Sequence, residues 1–234
     1  MGVMPDRRYR VGVLAPMPSE LQPVVKTMAL TKSADGFYRG AVAGTDVVAT
    51  KTGMGTELSA AAAVRLLDAF QVDHVVVCGI AGGMGATQVG DVLFPEVVVD
   101  KTSRAEYKPS PLAPVESRGK LVTHDDFDMG PDEHQQLVAE GFVAVDMETA
   151  AIAGVCARRS VPWSTVRVVS DLVGETPGDV IGLANPDGSP KIGAGLMYLL
   201  RHPRRIPSLI ELGMNSRNAA ISAAEQTTDL IRRR

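Results

Sequence analysis

Short apolar runs rich in β-branched residues alternate along the chain with longer segments whose apolar positions recur at helical spacing. Residues 11–15 are such a run and predict a buried strand. Residues 19–30 predict a helix, with Ser19 as its cap and Glu20 in the first turn, where a carboxylate suits the positive end of the helix dipole. Two alternating pieces around Gly44-Thr45, within 40–50, predict a hairpin. Residues 56–70 are rich in Ala and Leu and predict a helix. The run 74–78 predicts a central strand, and the Gly-Ile-Ala-Gly-Gly of 79–83 a glycine-rich turn after it. Further strands are expected over 91–100, 120–123, 142–145 and 163–169, and further helices over 130–140, 148–159 and most of 193–234. Residues 101–119 and 174–192, rich in Pro, Ser, Gly, Asn and Asp, read as loops.

Strands separated by crossover helices imply an α/β fold: a mixed, mainly parallel twisted central sheet flanked by helices. No linker and no internal repeat interrupts the pattern. One domain over 8–234 is therefore expected, with 173–234 a loop and helical extension of it.

Composition narrows the function classes. The 234 residues are 45% hydrophobic and 22% charged, which suits a globular chain that buries its own core. A net charge of −3 and an aromatic content of 4% argue against a dedicated nucleic-acid binder. Cys78 and Cys156 lie far apart, and the four histidines form no HxxxH pattern, so neither a disulfide framework nor a metal site is expected. Both cysteines read as small buried hydrophobes. No cofactor-binding signature is present. Without a signal-like stretch or a spanning apolar run, the chain reads as cytoplasmic.

In open α/β sheets, ligands collect outside the carboxyl ends of the strands. The first strand is followed by Glu20, the strand at 142–145 by Asp146-Met147-Glu148, and the strand at 163–169 by Ser170-Asp171. Such carboxylates suit cleavage of a bond to a sugar: one protonates the leaving group, another activates water or steadies the cationic ring, and a third accepts bonds from hydroxyls. A glycine-rich turn lets backbone approach a flat ligand. Plainer readings stand beside these. Glu20 and Glu148 can be helix-dipole partners, Asp171 a turn residue, Met147 core filler and 79–83 a turn with no ligand. Gly53-Met54-Gly55 can cradle an anion or simply begin a helix.

Four pieces, in order, carry a resemblance: VGVLAPMPSEL from Val11, TGMG from Thr52, CGIAGG with VGDV from Cys78, and VDMETAAIAGVC with VRVVSD from Val145. The chain resembles the purine nucleoside phosphorylase and nucleosidase superfamily, and within it the methylthioadenosine/S-adenosylhomocysteine nucleosidases. The resemblance implies a nucleoside phosphorylase-like fold and release of free purine from a 5′-modified adenosine-type nucleoside. It implies Asp171 as the general acid, with Ser170 placing it, and Glu20 as the residue that activates water. It implies Glu148 on the ribose, Met147 beneath the sugar, Phe127 stacked on the base, and Ile80, Ala81 and Gly82 lining the site. It also implies a homodimer.

The departures bear on the nucleophile. Superfamily phosphorylases place arginines where this chain has Ala15-Pro16-Met17-Pro18 and Val76-Val77-Cys78, and Ile80 stands where a serine is usual. Water is therefore favoured over phosphate, with a phosphorylase the alternative and a nucleoside-binding protein without catalysis the non-enzyme one. Asp128 replaces an apolar residue after Phe127. The tail around 185–214 is similar to the hopanoid-associated branch, which implies an adenosyl-lipid nucleosidase as a further alternative. Its basic cluster at Arg201, Arg204 and Arg205 could touch a membrane surface, though a helical hairpin packed on the domain is preferred.

Overall fold

The computed structural model describes residues 8–126, 129–174, 185, 189, 191 and 201–234. In β1 (Arg10–Ala15), Val11, Val13 and Ala15 face one apolar layer and Leu14 faces another, as the two-residue period of a strand requires. The first layer is closed by α1 (Pro18–Thr27) through Leu21 and Val24, and by α5 (Ile206–Arg233) through Ala219, Ala223, Ala224, Leu230 and Ile231. The second is closed by α2 (Thr56–Ala69) through Ala63 and Leu66, and by α4 (Thr149–Arg158) through Ile152, Ala153 and Val155. This is an α/β architecture with a mixed sheet between helical layers. Among the described residues, no helix is long and apolar enough to cross a membrane.

The sheet consists of two parallel blocks. In the first, β4 (Thr45–Lys51), β1, β5 (His74–Gly83) and β11 (Trp163–Leu172) run parallel, with β2 (Thr31–Lys32) and β3 (Tyr38–Val42) added antiparallel at the β4 edge. In the second, β10 (Phe142–Asp146), β9 (Lys120–Thr123) and β7 (Val97–Asp100) run parallel, with β8 (Glu106–Tyr107) antiparallel at the edge. The blocks meet in one short antiparallel seam, where Gly82 and Gly83 of β5 pair with Val145 and Ala144 of β10. A third core cluster beneath the second block gathers Met84, Val122, Leu137 and Phe142, with α3 (Pro131–Ala139) as its lid.

Several expectations change. The glycine-rich segment 79–83 is not a turn: β5 continues through it, because β11 on one side and β10 on the other supply backbone partners to its end. Residues 91–100 form two strands: β6 (Val92–Leu93) pairs with β11, and beyond Pro95, β7 pairs with β9. Ser19 does not cap α1. Pro18 takes the first helical position, Met17 is the cap residue, and Ser19 is exposed. Within 101–119 the short β8 interrupts the loop. Cys78 and Cys156 are free and buried, and burial pushes both thiols up to about 12. Residues 175–184 and 192–200, part of the expected loop and tail, lie outside the described residues.

Candidate active site

Glu20 is the third residue of α1, and the helix start turns it inward to full burial. One carboxylate oxygen accepts the backbone N–H of Met17 at 2.8 Å, and the other accepts that of Ile80, across the sheet, at 2.8 Å. The carboxylate therefore ties the start of α1 to the middle of β5. Gly79 makes room for this. A Cβ there would collide with Glu20 Oε1 and Arg167 Nη1. The glycine thus serves side-chain packing rather than a turn.

Arg167 lies fully buried on β11. Its Nη2 stands 2.6 Å from Asp146 and 3.4 Å from Glu148, and its Nη1 4.0 Å from Glu20. Burial works against the guanidinium charge, but Asp146, Glu148 and Glu20 together raise its pKa above the ordinary value. Three carboxylates on one cation leave excess negative charge in a dry place. Burial is the main reason that Glu20 is pushed up to about 7, with Arg167 pulling the other way. Burial likewise pushes Glu148 up to about 8, opposed by Arg167 and reinforced by Asp146 and Glu20.

The two acidic residues after β10 act differently. Asp146 faces Arg167 and accepts the hydroxyls of Thr123, at 2.6 Å, and Thr149, and its carboxylate also receives the first amides of α4. Glu148 is the cap residue of α4, yet its side chain leaves that helix. It accepts the Gly55 N–H at the start of α2 at 3.1 Å and reaches Arg167 with its other oxygen. Two amides at the start of α2 are thus engaged by carboxylates of the protein itself, Gly55 by Glu148 and Thr56 by Asp125 at 2.7 Å, while the Gly53 N–H donates to the Pro16 carbonyl.

Ser170 and Asp171 lie within β11, beyond its predicted end. The register slips by one residue between Val169 and Asp171, leaving Ser170 over in the pairing with β5. The buried Ser170 hydroxyl donates to Asp171 Oδ1 at 2.5 Å, and Asp171 is half-buried.

One cavity of about 100 Å³ collects these groups. Glu20, Ile80, Ala81, Gly82, Met147, Glu148, Ser170 and Asp171 all line it, with Pro16, Met17, Met54, Val145 and Asp146. A smaller adjoining cavity shares Gly82, Val145 and Asp171 and is walled by His124, Asp126 and Met129. Phe127 lies outside the described residues. No cluster arranged to hold a metal ion occurs among the described residues. The arrangement can hold a polar, hydroxylated ligand against carboxylates, with Asp171 at the junction of two cavities.

Reading the strand ends did not single out Arg167, nor give Asp146 a role apart from Glu148. A signal was present. Arg167 is a lone charge inside the β-branched run Val166-Arg167-Val168-Val169, and a charge at a core position must have buried partners.

The family model of the Phosphorylase superfamily matches residues 10–117 and 108–185. The chain belongs to this superfamily. Among curated relatives, the 5′-methylthioadenosine/S-adenosylhomocysteine nucleosidase of Tolumonas auensis is 31% identical over 201 residues, covering 71% of this chain and 87% of that protein. Of solved structures, the nucleosidase of that name from Colwellia psychrerythraea, in complex with adenine, superposes with a TM-score of 0.71 at 23% identity, covering 96% of this chain and 95% of that one. A variant of the Helicobacter pylori nucleosidase with 5′-methylthioadenosine in the active site gives 0.71 at 18% identity, covering 96% and 99%. The superfamily match ends at residue 185, so α5 lies beyond it although it packs on β11 and α1.

Proposed function

We propose that this protein is a nucleosidase that hydrolyses the N-glycosidic bond of a 5′-modified adenosine-type nucleoside, of the methylthioadenosine or S-adenosylhomocysteine kind, to free base and a ribosyl product. The observation that carries this reading is the convergence of Glu20, Glu148 and Asp171, distant in sequence, on one cavity. Asp171, held by Ser170, donates the proton that lets the purine leave as a neutral base. Glu148 accepts bonds from the ribose hydroxyls, and Met147 packs beneath the ring. Glu20 orients the attacking water, and its ionised form takes up the proton that water loses as the new bond to the anomeric carbon forms. Phe127 stacks on the base, as the resemblance implies.

Electrostatics support water over phosphate. A phosphate would meet the acidic side chains of Glu20, Asp146 and Glu148 in the same cavity, and the buried cation beside them, Arg167, is already engaged by all three. At the start of α2 the Gly55 and Thr56 amides are engaged by Glu148 and Asp125 rather than left for a phosphate. The homodimer of the resemblance is part of this reading, and sedimentation of the purified chain tests it.

The deciding experiment incubates the protein with a panel of purine nucleosides, with and without inorganic phosphate, and measures free base. Release from 5′-modified adenosines independent of phosphate is expected. Release that requires phosphate would make the protein a phosphorylase, and tight binding without release would remove the catalytic reading.

A further inference from the structure

A second polar cavity, of about 280 Å³, opens beside α1. Its wall includes Pro18, the residue after Met17, and Lys51, three residues before Met54, so two chain segments contribute to both cavities although no single residue lines both. Its charge is opposite. Lys32 from β2, Lys51 from β4 and Arg65 from α2 face it, and no carboxylate is among its lining residues. In a chain of net charge −3, this concavity gathers three cationic side chains.

One of the cations is also placed. Arg65 donates to the Thr50 hydroxyl at 3.2 Å, and its guanidinium lies 5.3 Å from the centre of the Phe37 ring, so the head group is held at the cavity wall. Tyr38 adds a hydroxyl, and Leu21 an apolar surface. Gly36 projects no side chain, and a Cβ there would meet nothing within 4 Å, so the mouth stays open. Guanidinium and ammonium groups around a small space match the planar or tetrahedral oxygens of a carboxylate or phosphate.

We propose that this cavity binds an oxyanion, a carboxylate or a phosphate group, brought by a small molecule. The two cavities then divide one ligand by charge: the acidic one takes the neutral, hydroxylated sugar, and the basic one the anionic end. In that form the oxyanion is the terminus of the nucleoside's own 5′ substituent, and the inference rests on the proposed nucleosidase reading. The alternative source is free inorganic phosphate, which needs no nucleoside.

The test compares the full chain with the Lys32→Gln/Arg65→Gln double variant. Base release is followed from 5′-methylthioadenosine and from an analogue whose 5′-thio substituent ends in a carboxylate. Thermal unfolding is followed with inorganic phosphate against chloride at matched ionic strength. With the substituent as source, KM for the carboxylate analogue rises about tenfold in the variant while that for methylthioadenosine is unchanged. With free phosphate as source, phosphate raises the melting temperature of the wild type and not of the variant, and neither KM moves. Equal KM values for both substrates together with equal phosphate response overturn the proposal. If the wild type releases no base, the nucleosidase reading fails on its own, and calorimetric binding of the carboxylate analogue and of phosphate to wild type and variant still decides the cavity. Should the double variant fail to fold, Lys32→Gln and Lys51→Gln singly repeat the comparison.

Discussion

At the scale of single residues, Arg167 fixes the electrostatics of the site. It is a buried cation held by three carboxylates, and its removal leaves their charges uncompensated in a dry interior. Arg167→Met is expected to destabilise the fold by about 3–5 kcal/mol, read by denaturant unfolding, because breaking a buried ion cluster costs more than the cluster ever contributed. Gly79→Ala drives a methyl group into Glu20 and Arg167. A loss of about 1–3 kcal/mol is expected, with hydrolysis falling alongside, because Glu20 must move from its bonds to Met17 and Ile80. Asp171→Asn keeps the shape and removes the acid of the proposed mechanism. Base release is expected to drop by roughly 10²–10⁴ while nucleoside binding survives. Comparable turnover in that variant would take Asp171 out of the mechanism.

At the scale of elements, the candidate site lies at the strand ends, because loops at the carboxyl edge of a sheet are where side chains can converge. Glu20, Glu148, Ser170 and Asp171 were legible on that rule. What the pattern could not give was how the elements reach one another. The period of β11 does not disclose its register slip, which depends on the pairing with β5. Glu148 looks like a dipole partner of α4, but its bonds go to α2 and to Arg167, because Asp146 already serves the first amides of α4. Local signals favour Ser19 as a cap, and the proline before it overrides them. The start of α2 is finished by Asp125, 69 residues away. Asp125→Ala is therefore expected to cost about 1 kcal/mol, as loss of a helix cap does, measurable as a lowered denaturant midpoint.

At the scale of the whole molecule, the alternating pattern was sufficient for the class of fold, since short apolar runs with intervening helices admit few arrangements. The division of the sheet was not legible, because nothing local in 79–83 or 142–146 states that these strands run against each other. Global stability should carry the imprint of the buried acids. Glu20 and Glu148, raised to about 7 and about 8 from 4.5, bind protons more tightly folded than unfolded. Their contribution to stability is complete below about pH 4.5 and is lost as pH climbs through 7 and then 8. Between pH 5 and 8 the unfolding free energy is expected to fall by this route, on the order of a few kcal/mol and read as a falling denaturant midpoint, and Glu148→Gln should flatten the slope. The same ionisation of Glu20 predicts that kcat/KM for hydrolysis rises with pH toward a plateau above about 7.

The antiparallel join of β5 to β10 is two residue pairs long, yet Glu20 and Asp171 come from one side of it and Glu148 from the other. Neither parallel block of the sheet holds all three carboxyl groups of the candidate site before that join closes. A refolding chain should therefore regain its helical signal first and base release last, because the second block, inserted between β5 and β11, must dock through that seam.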